Sequence, residues 1–236
     1  MLGVITELEL EVEPAYRLAE RIEDWSWHEA WEKLEEMAHR HRHFSFFWMP
    51  SAVSAQLYGL RELAAERCYV KIYDVVDAAT PDSDEPGRRV GPAHTIYPMV
   101  FEPNFRELEY FVPFHRGRDA LAAMRELMLR MLPASVFPME VRTVARDKGY
   151  LSHSSDRDSV VISVSGMAGT DYLPYLREVD RLLGDFDARV HWGKLHFLLK
   201  DQLLNRYPYA QAFIETRRAL DPQGIFLNDH LRQLFE

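Results

Sequence analysis

The stretch Phe105 to Val112 puts Glu107 and Glu109 on one side and Leu108, Tyr110 and Val112 on the other, and Pro113 ends it. A period of two with charge on one face belongs to a strand whose sheet buries one side only. Val136 to Ala145 and Ser159 to Ser165 read as two further strands, joined by a polar connection and paired antiparallel as sequence neighbours. Glu140 and Arg142 then project together, as do Ser163 and Ser165. Two charges inside an otherwise apolar strand are costly unless they are used or paired. Arg189-Val190-His191-Trp192-Gly193-Lys194 adds a guanidinium, an imidazole and an ammonium around one glycine. A functional pocket requires these two sets to meet; a solvated loop and a structural ion pair are the plainer alternative.

Other segments fix the class of fold. Val4 to Glu13 alternates, with Glu7, Glu9, Glu11 and Glu13 on one side, and predicts a strand stopped by Pro14. Phe44–Met49 and Cys68–Val76 are rich in aromatic and β-branched residues and predict strands. Helical spacing marks Trp25–His41, with Ser26 as N-cap, and also Arg118–Leu132, Asp171–Phe186, Leu198–Asn205 and Ala210–Leu220. Residues 77 to 93 are rich in breakers and read as a mobile loop, with a lid as the alternative. Strands and helices interspersed in this way predict an α+β fold, an antiparallel sheet covered by helices.

Composition narrows the partners. A net charge of -9 disfavours a broad surface for nucleic acid or anionic lipid and leaves room for a local cationic pocket, so a small molecule is expected. One cysteine, Cys68, rules out an internal disulfide framework and fits a reducing compartment. There is no apolar run of the roughly 20 residues a membrane helix needs, and the expected location is the cytoplasm. His39, His41 and His43 stand two apart, which does not share a helix face, so they read as helix-end cations and no metal site is expected.

Five patches, in order along the chain, carry a resemblance. They are Leu2-Gly3-Val4-Ile5-Thr6 with Val12-Glu13-Pro14-Ala15; Phe105 to Tyr110 with Val112-Pro113; Pro138 to Ala145; His191-Trp192-Gly193-Lys194; and Leu220-Asp221-Pro222 with Gly224, Phe226 and Asn228. Together they resemble the C-terminal half of the aldonolactone oxidase group, which includes D-arabinono-1,4-lactone, L-gulono-1,4-lactone and alditol oxidases of the vanillyl-alcohol oxidase superfamily. The resemblance implies FAD-dependent oxidation of a sugar-1,4-lactone or polyol by hydride transfer to flavin N5. It implies that residues 1–16 end an FAD-binding domain and 17–236 form the substrate (cap) domain, whose C-terminal segment faces the flavin. The glycine-rich pyrophosphate loop of such enzymes is not in this sequence, so the chain by itself is expected to be inactive and to depend on an FAD-binding domain.

The same resemblance places catalytic roles on Glu140, Arg142 and Lys194, substrate contacts on Ser163 and Ser165, and cofactor contacts on His191, Lys194 and Asn228. Alditol oxidases carry His and Thr at the two serine positions, which leaves the substrate open between lactone and polyol. Some members associate peripherally with membranes, for which no segment here offers an anchor. The alternative to an oxidase is a non-catalytic carbohydrate-binding or subunit-interaction module.

Overall fold

In the computed structural model, which describes residues 2–60, 63–98 and 105–236, the chain runs β1 (Arg17–Ser26), α1 (Trp27–Arg40), β2 (His43–Trp48), α2 (Ser54–Leu57), β3 (Arg67–Val76), β4 (Val90–Pro92) and α3 (Ala93–Ile96). It continues through β5 (Phe105–Pro113), α4 (Gly117–Arg130), β6 (Met139–Val144), β7 (Ser159–Met167), α5 (Leu173–Gly184) and β8 (Arg189–Val190), then α6 (Lys200–Arg206), α7 (Ala210–Leu220) and α8 (Asp229–Phe235). The strands form one sheet in the order β4-β1-β3-β2-β6-β7-β5-β8, and each pair of neighbours is antiparallel. This is the α+β arrangement expected from the sequence.

Alternation gives the sheet two unlike faces. Phe44, Phe46, Val70, Ile72, Leu108, Tyr110, Val141, Ile162 and Val164 point to the side on which Leu34 of α1, Met124 of α4 and Leu176 of α5 close the main core. The residues between them, among them Ser45, Lys71, Glu107, Glu109, Glu140, Arg142 and Ser163, line the other face. That open face has a small aromatic core of its own at one end, where Phe47, Tyr58 and Phe137 gather with Phe105. No helix among the described residues is long and apolar enough to cross a membrane.

Three segments depart from the sequence expectations. Val4 to Glu13 forms no strand: it is exposed, with Val12 82% accessible, and Glu13 reaches Arg42 at 2.7 Å. Alternation supplies a strand-competent segment, but only a ladder partner makes it a strand, and none of the described strands pairs with it. The reverse holds at Arg17–Ser26, a charged segment of modest β-propensity that becomes β1 because all ten residues pair with β3. Residues 77 to 93 are no free loop or lid. They contain β4, Gly87 and Arg89 accept backbone hydrogen bonds from Ile22 and Glu20 at 2.9 and 2.8 Å, and the Arg89 guanidinium forks onto buried Glu20 at 2.7 Å.

Helix α4 starts flush against β7. A Cβ built on Gly117 would stand 2.3 Å from Val160 Cγ2, inside the core. Gly117→Ala gains helix propensity, yet it is expected to destabilise the fold by about 1–3 kcal/mol through overpacking. Urea denaturation measures this, and an unchanged or raised midpoint would refute the close packing.

Candidate active site on the open sheet face

Three neighbouring strands, β6, β7 and β5, bring Glu140, Ser163 and Glu109 into one cross-strand row. Arg142, two residues beyond Glu140, leans across β7 and places its guanidinium 2.6 Å from Glu109 Oε2 and 3.5 Å from Glu140 Oε1. Lys194 enters from the turn after β8. That turn is fastened along β5, with His191 N donating to Glu109 O and Leu195 N to Glu107 O, each at 3.0 Å. The Lys194 ammonium is thereby held 2.5 Å from both Glu107 Oε1 and Glu109 Oε2. The Ser163 hydroxyl donates to Glu107. The result is a chain of alternating charge, Glu140–Arg142–Glu109–Lys194–Glu107.

Glu109 is the hinge of this chain, 2% exposed and shared by two cations. A buried carboxylate needs such partners, and two of them hold its oxygens in one position. Burial also pushes the Glu140 carboxyl above the usual carboxylate range, against the opposing pull of Arg142 and Lys194. For Arg142 burial is opposed and outweighed by Glu140 and Glu109, so its guanidinium stays charged. On β3, burial lowers the Lys71 ammonium below its ordinary value, against Glu140 and Glu20.

Of the residues singled out from sequence, Glu140, Arg142, Ser163 and Lys194 meet here. Ser165 sits one step along β7, its hydroxyl 3.4 Å from that of Tyr58. His191 lies beside the cluster in a stack with Phe111 and His153, at centroid distances of 6.4 and 6.0 Å. Its Nδ1 accepts from Gly193 N at 3.1 Å, which assigns the proton of the neutral ring to Nε2. Asn228 is outside the network and serves as the N-cap of α8, accepting from Leu231 N at 2.9 Å. Arg189 and Trp192 turn inward to backbone carbonyls of Arg206, Ser155 and Leu151. The expectation of helix-end cations fits His39, whose ring meets Glu35 O, while His41 instead meets Asp74 at 2.7 Å. Glu107 and Glu109 are the members that sequence reasoning misses, although the alternation of their strand puts both on the face that carries the site.

Solved structures share the fold. The fold matches an alanine variant of berberine bridge enzyme, with a TM-score of 0.56 and 10% identity over 96% of this chain and 56% of that one. It matches 6-hydroxy-D-nicotine oxidase from Arthrobacter nicotinovorans with a TM-score of 0.51 and 16% identity, over 89% of this chain and 53% of that one. These matches show that the α+β fold, an antiparallel sheet covered by helices, is shared with part of each of those flavoenzyme chains.

The D-arabinono-1,4-lactone oxidase family profile matches residues 64–234, and the chain belongs to that family. L-gulono-1,4-lactone dehydrogenase of Mycobacterium tuberculosis is 28% identical over 99% of this chain and 61% of its own length. Alditol oxidase of a Streptomyces species is 36% identical over 54% of this chain and 31% of its own, and mouse (Mus musculus) L-gulonolactone oxidase 30% over 61% and 34%. The chain thus spans less than two thirds of the length of these relatives.

Two outcomes test the charge chain. Glu109→Ala leaves two cations without their shared partner and should destabilise the fold by about 3 kcal/mol, at the low end for a broken buried pair because Arg142 and Lys194 keep some solvent. Equal midpoints for variant and wild type in urea would refute it. Glu140 holds its proton to higher pH in the folded than in the unfolded chain, so its contribution is full below the ordinary carboxylate range and is lost as pH rises towards the shifted value. Glu140→Gln should therefore gain stability relative to wild type between pH 4 and pH 7, about as carboxylates titrate, and a constant difference across that range would exclude the effect.

Proposed function

We propose that this chain is the substrate domain of an FAD-dependent oxidase or dehydrogenase that oxidises a CH–OH group of a sugar-1,4-lactone or polyol. Residues 17–236 contribute the substrate side of the pocket, and the flavin is taken together with an FAD-binding domain. The observation that carries this reading is the ordered Glu140–Arg142–Glu109–Lys194–Glu107 chain on the open face of a family member's sheet.

The residues present fit the reacting edge of such a site. Among the described residues Arg142 Nε is a buried donor with no hydrogen-bond partner, its ion-pair neighbour Glu140 Oε1 standing 3.5 Å away. When bound, FAD supplies the acceptor for the two electrons of the alcohol. Arg142 donates to the hydroxyl that loses its proton and steadies the negative charge growing on that oxygen; a guanidinium suits the role because it stays protonated. Glu109 sets the plane of Arg142 and the reach of Lys194 and touches no substrate. Lys194 donates to a second hydroxyl or to the carbonyl edge of the flavin. Glu140 accepts a hydrogen bond from the sugar, and Ser163 and Ser165 border the same surface. His191 and Asn228 are assigned to the flavin side.

NMR titration of the chain with L-gulono-1,4-lactone, D-arabinono-1,4-lactone and xylitol tests the reading. Binding in the millimolar range is expected, weakened about tenfold or more by Arg142→Met, the cost of a hydrogen bond to a charged group. Free FAD should bind weakly, and the purified chain should show no stoichiometric visible flavin band. Ligand-independent spectra of Glu107, Arg142 and Lys194 would overturn the proposal.

A further inference from the structure

The charge chain occupies the β6–β7–β5–β8 part of the open face. On the other side of β6 the same face continues over β2 and β3 as a cleft of about 300 Å³, bordered by Glu140 and Arg142, and its β2 and β3 residues have no role above. Its floor follows from register. Ser45 on β2 stands directly between Lys71 on β3 and Arg142 on β6, so two long cationic side chains flank one small hydroxyl. The two outer backbones are about 10 Å apart at normal strand spacing. Arg142 reaches across β7 to Glu109 and borders the cleft at its edge, so that among the described residues the space above Ser45 is open.

The walls suit one kind of ligand. Glu140 adds an acceptor beside the three donors Lys71, Ser45 and Arg142. His43, Tyr73 and Tyr97 close one end as a group of rings, with centroids 4.4 Å apart for His43–Tyr97, 5.4 Å for Tyr73–Tyr97 and 6.3 Å for His43–Tyr73. Burial, with Arg42 nearby, lowers the His43 imidazole below its ordinary value, which favours the uncharged ring. Donors and an acceptor side by side match vicinal hydroxyls, each of which both accepts and donates, while apolar ring faces match the C–H faces of a carbohydrate. A small anion would find the cations but also the Glu140 carboxyl in its way.

We infer that the cleft over Ser45 is the subsite for the hydroxylated arm of the substrate, the part farthest from the carbon being oxidised, and that Lys71 and Ser45 set how long that arm can be. The inference rests on the proposed function, because Arg142 is the seam between the reacting end and the arm. Lys71 and Ser45 touch substrate here but take no part in the redox step.

The test is binding of three ligands to the full chain, followed by NMR: L-gulono-1,4-lactone and xylitol, which carry an arm, and D-erythrono-1,4-lactone, which has the ring without one. Lys71→Met is expected to weaken the first two roughly tenfold, the size of one hydrogen bond to a charged group, and to leave the third within about twofold. Ser45→Val, a change that keeps strand propensity, should do the same to a smaller degree and covers the case in which Lys71→Met misfolds. Both variants are checked by near-UV circular dichroism. Loss on Arg142→Met with no selective loss on Lys71→Met or Ser45→Val would overturn the subsite and leave the proposed function standing. If none of the three variants changes binding, both fall.

Discussion

The open face depends on one buried carboxylate. Glu109 is almost without solvent, and a charge in that position persists only because Arg142 and Lys194 both bond to it. The three groups come from β5, β6 and the turn after β8, so their pairing needs β7 seated between β5 and β6 and β8 on the far side of β5. The interaction is therefore a product of the whole sheet order. In return it fixes the orientation of two cations that would otherwise sample many rotamers, the preorganisation that a site for developing negative charge requires.

Electrostatic balance over the rest of the face follows from the same geometry. Cations and carboxylates alternate, so no group stands beside only its own kind, yet burial still moves two of them in opposite senses. Glu140 is pushed towards its neutral form and Lys71 towards its neutral form too, from the other direction. Each group still feels an opposing field, since Glu140 acts against the lowering of Lys71, and Arg142 and Lys194 act against the raising of Glu140.

Much of this is legible in the chain because a strand writes its two faces into alternate residues. Spacing alone gives Glu140 and Arg142 a common face, and likewise Ser163 and Ser165, and the antiparallel pairing of their strands follows from adjacency. Residue types single out the loop that carries Lys194, and the family resemblance gives that lysine its role, which spacing by itself does not. What alternation does not encode is depth. Glu107 and Glu109 look like any wet strand face until β7 and β8 flank them, and Glu109 then becomes one of the most buried charges in the protein. The same gap explains Arg17–Ser26, whose charges disguise a strand that pairing with β3 and the Arg89–Glu20 fork make possible. It also explains Val4–Glu13, where the pattern is correct and no described strand pairs with it.

The two faces are also mechanically coupled. Every strand residue of the charge chain is a neighbour in sequence of one that fills the helix-covered core: Val141 lies between Glu140 and Arg142, Leu108 between Glu107 and Glu109, and Ile162 and Val164 flank Ser163. Core side chains packed at crystal-like density tolerate little displacement. A shift of Val141 or Leu108 against α1, α4 or α5 is thus carried through the strand to the carboxylates on the far side, where even tenths of an ångström matter to bonds of 2.5 to 2.6 Å. The core residues of α1, α4 and α5 pack on the opposite side of the sheet, and through the strands they bear on where the guanidinium and the ammonium point.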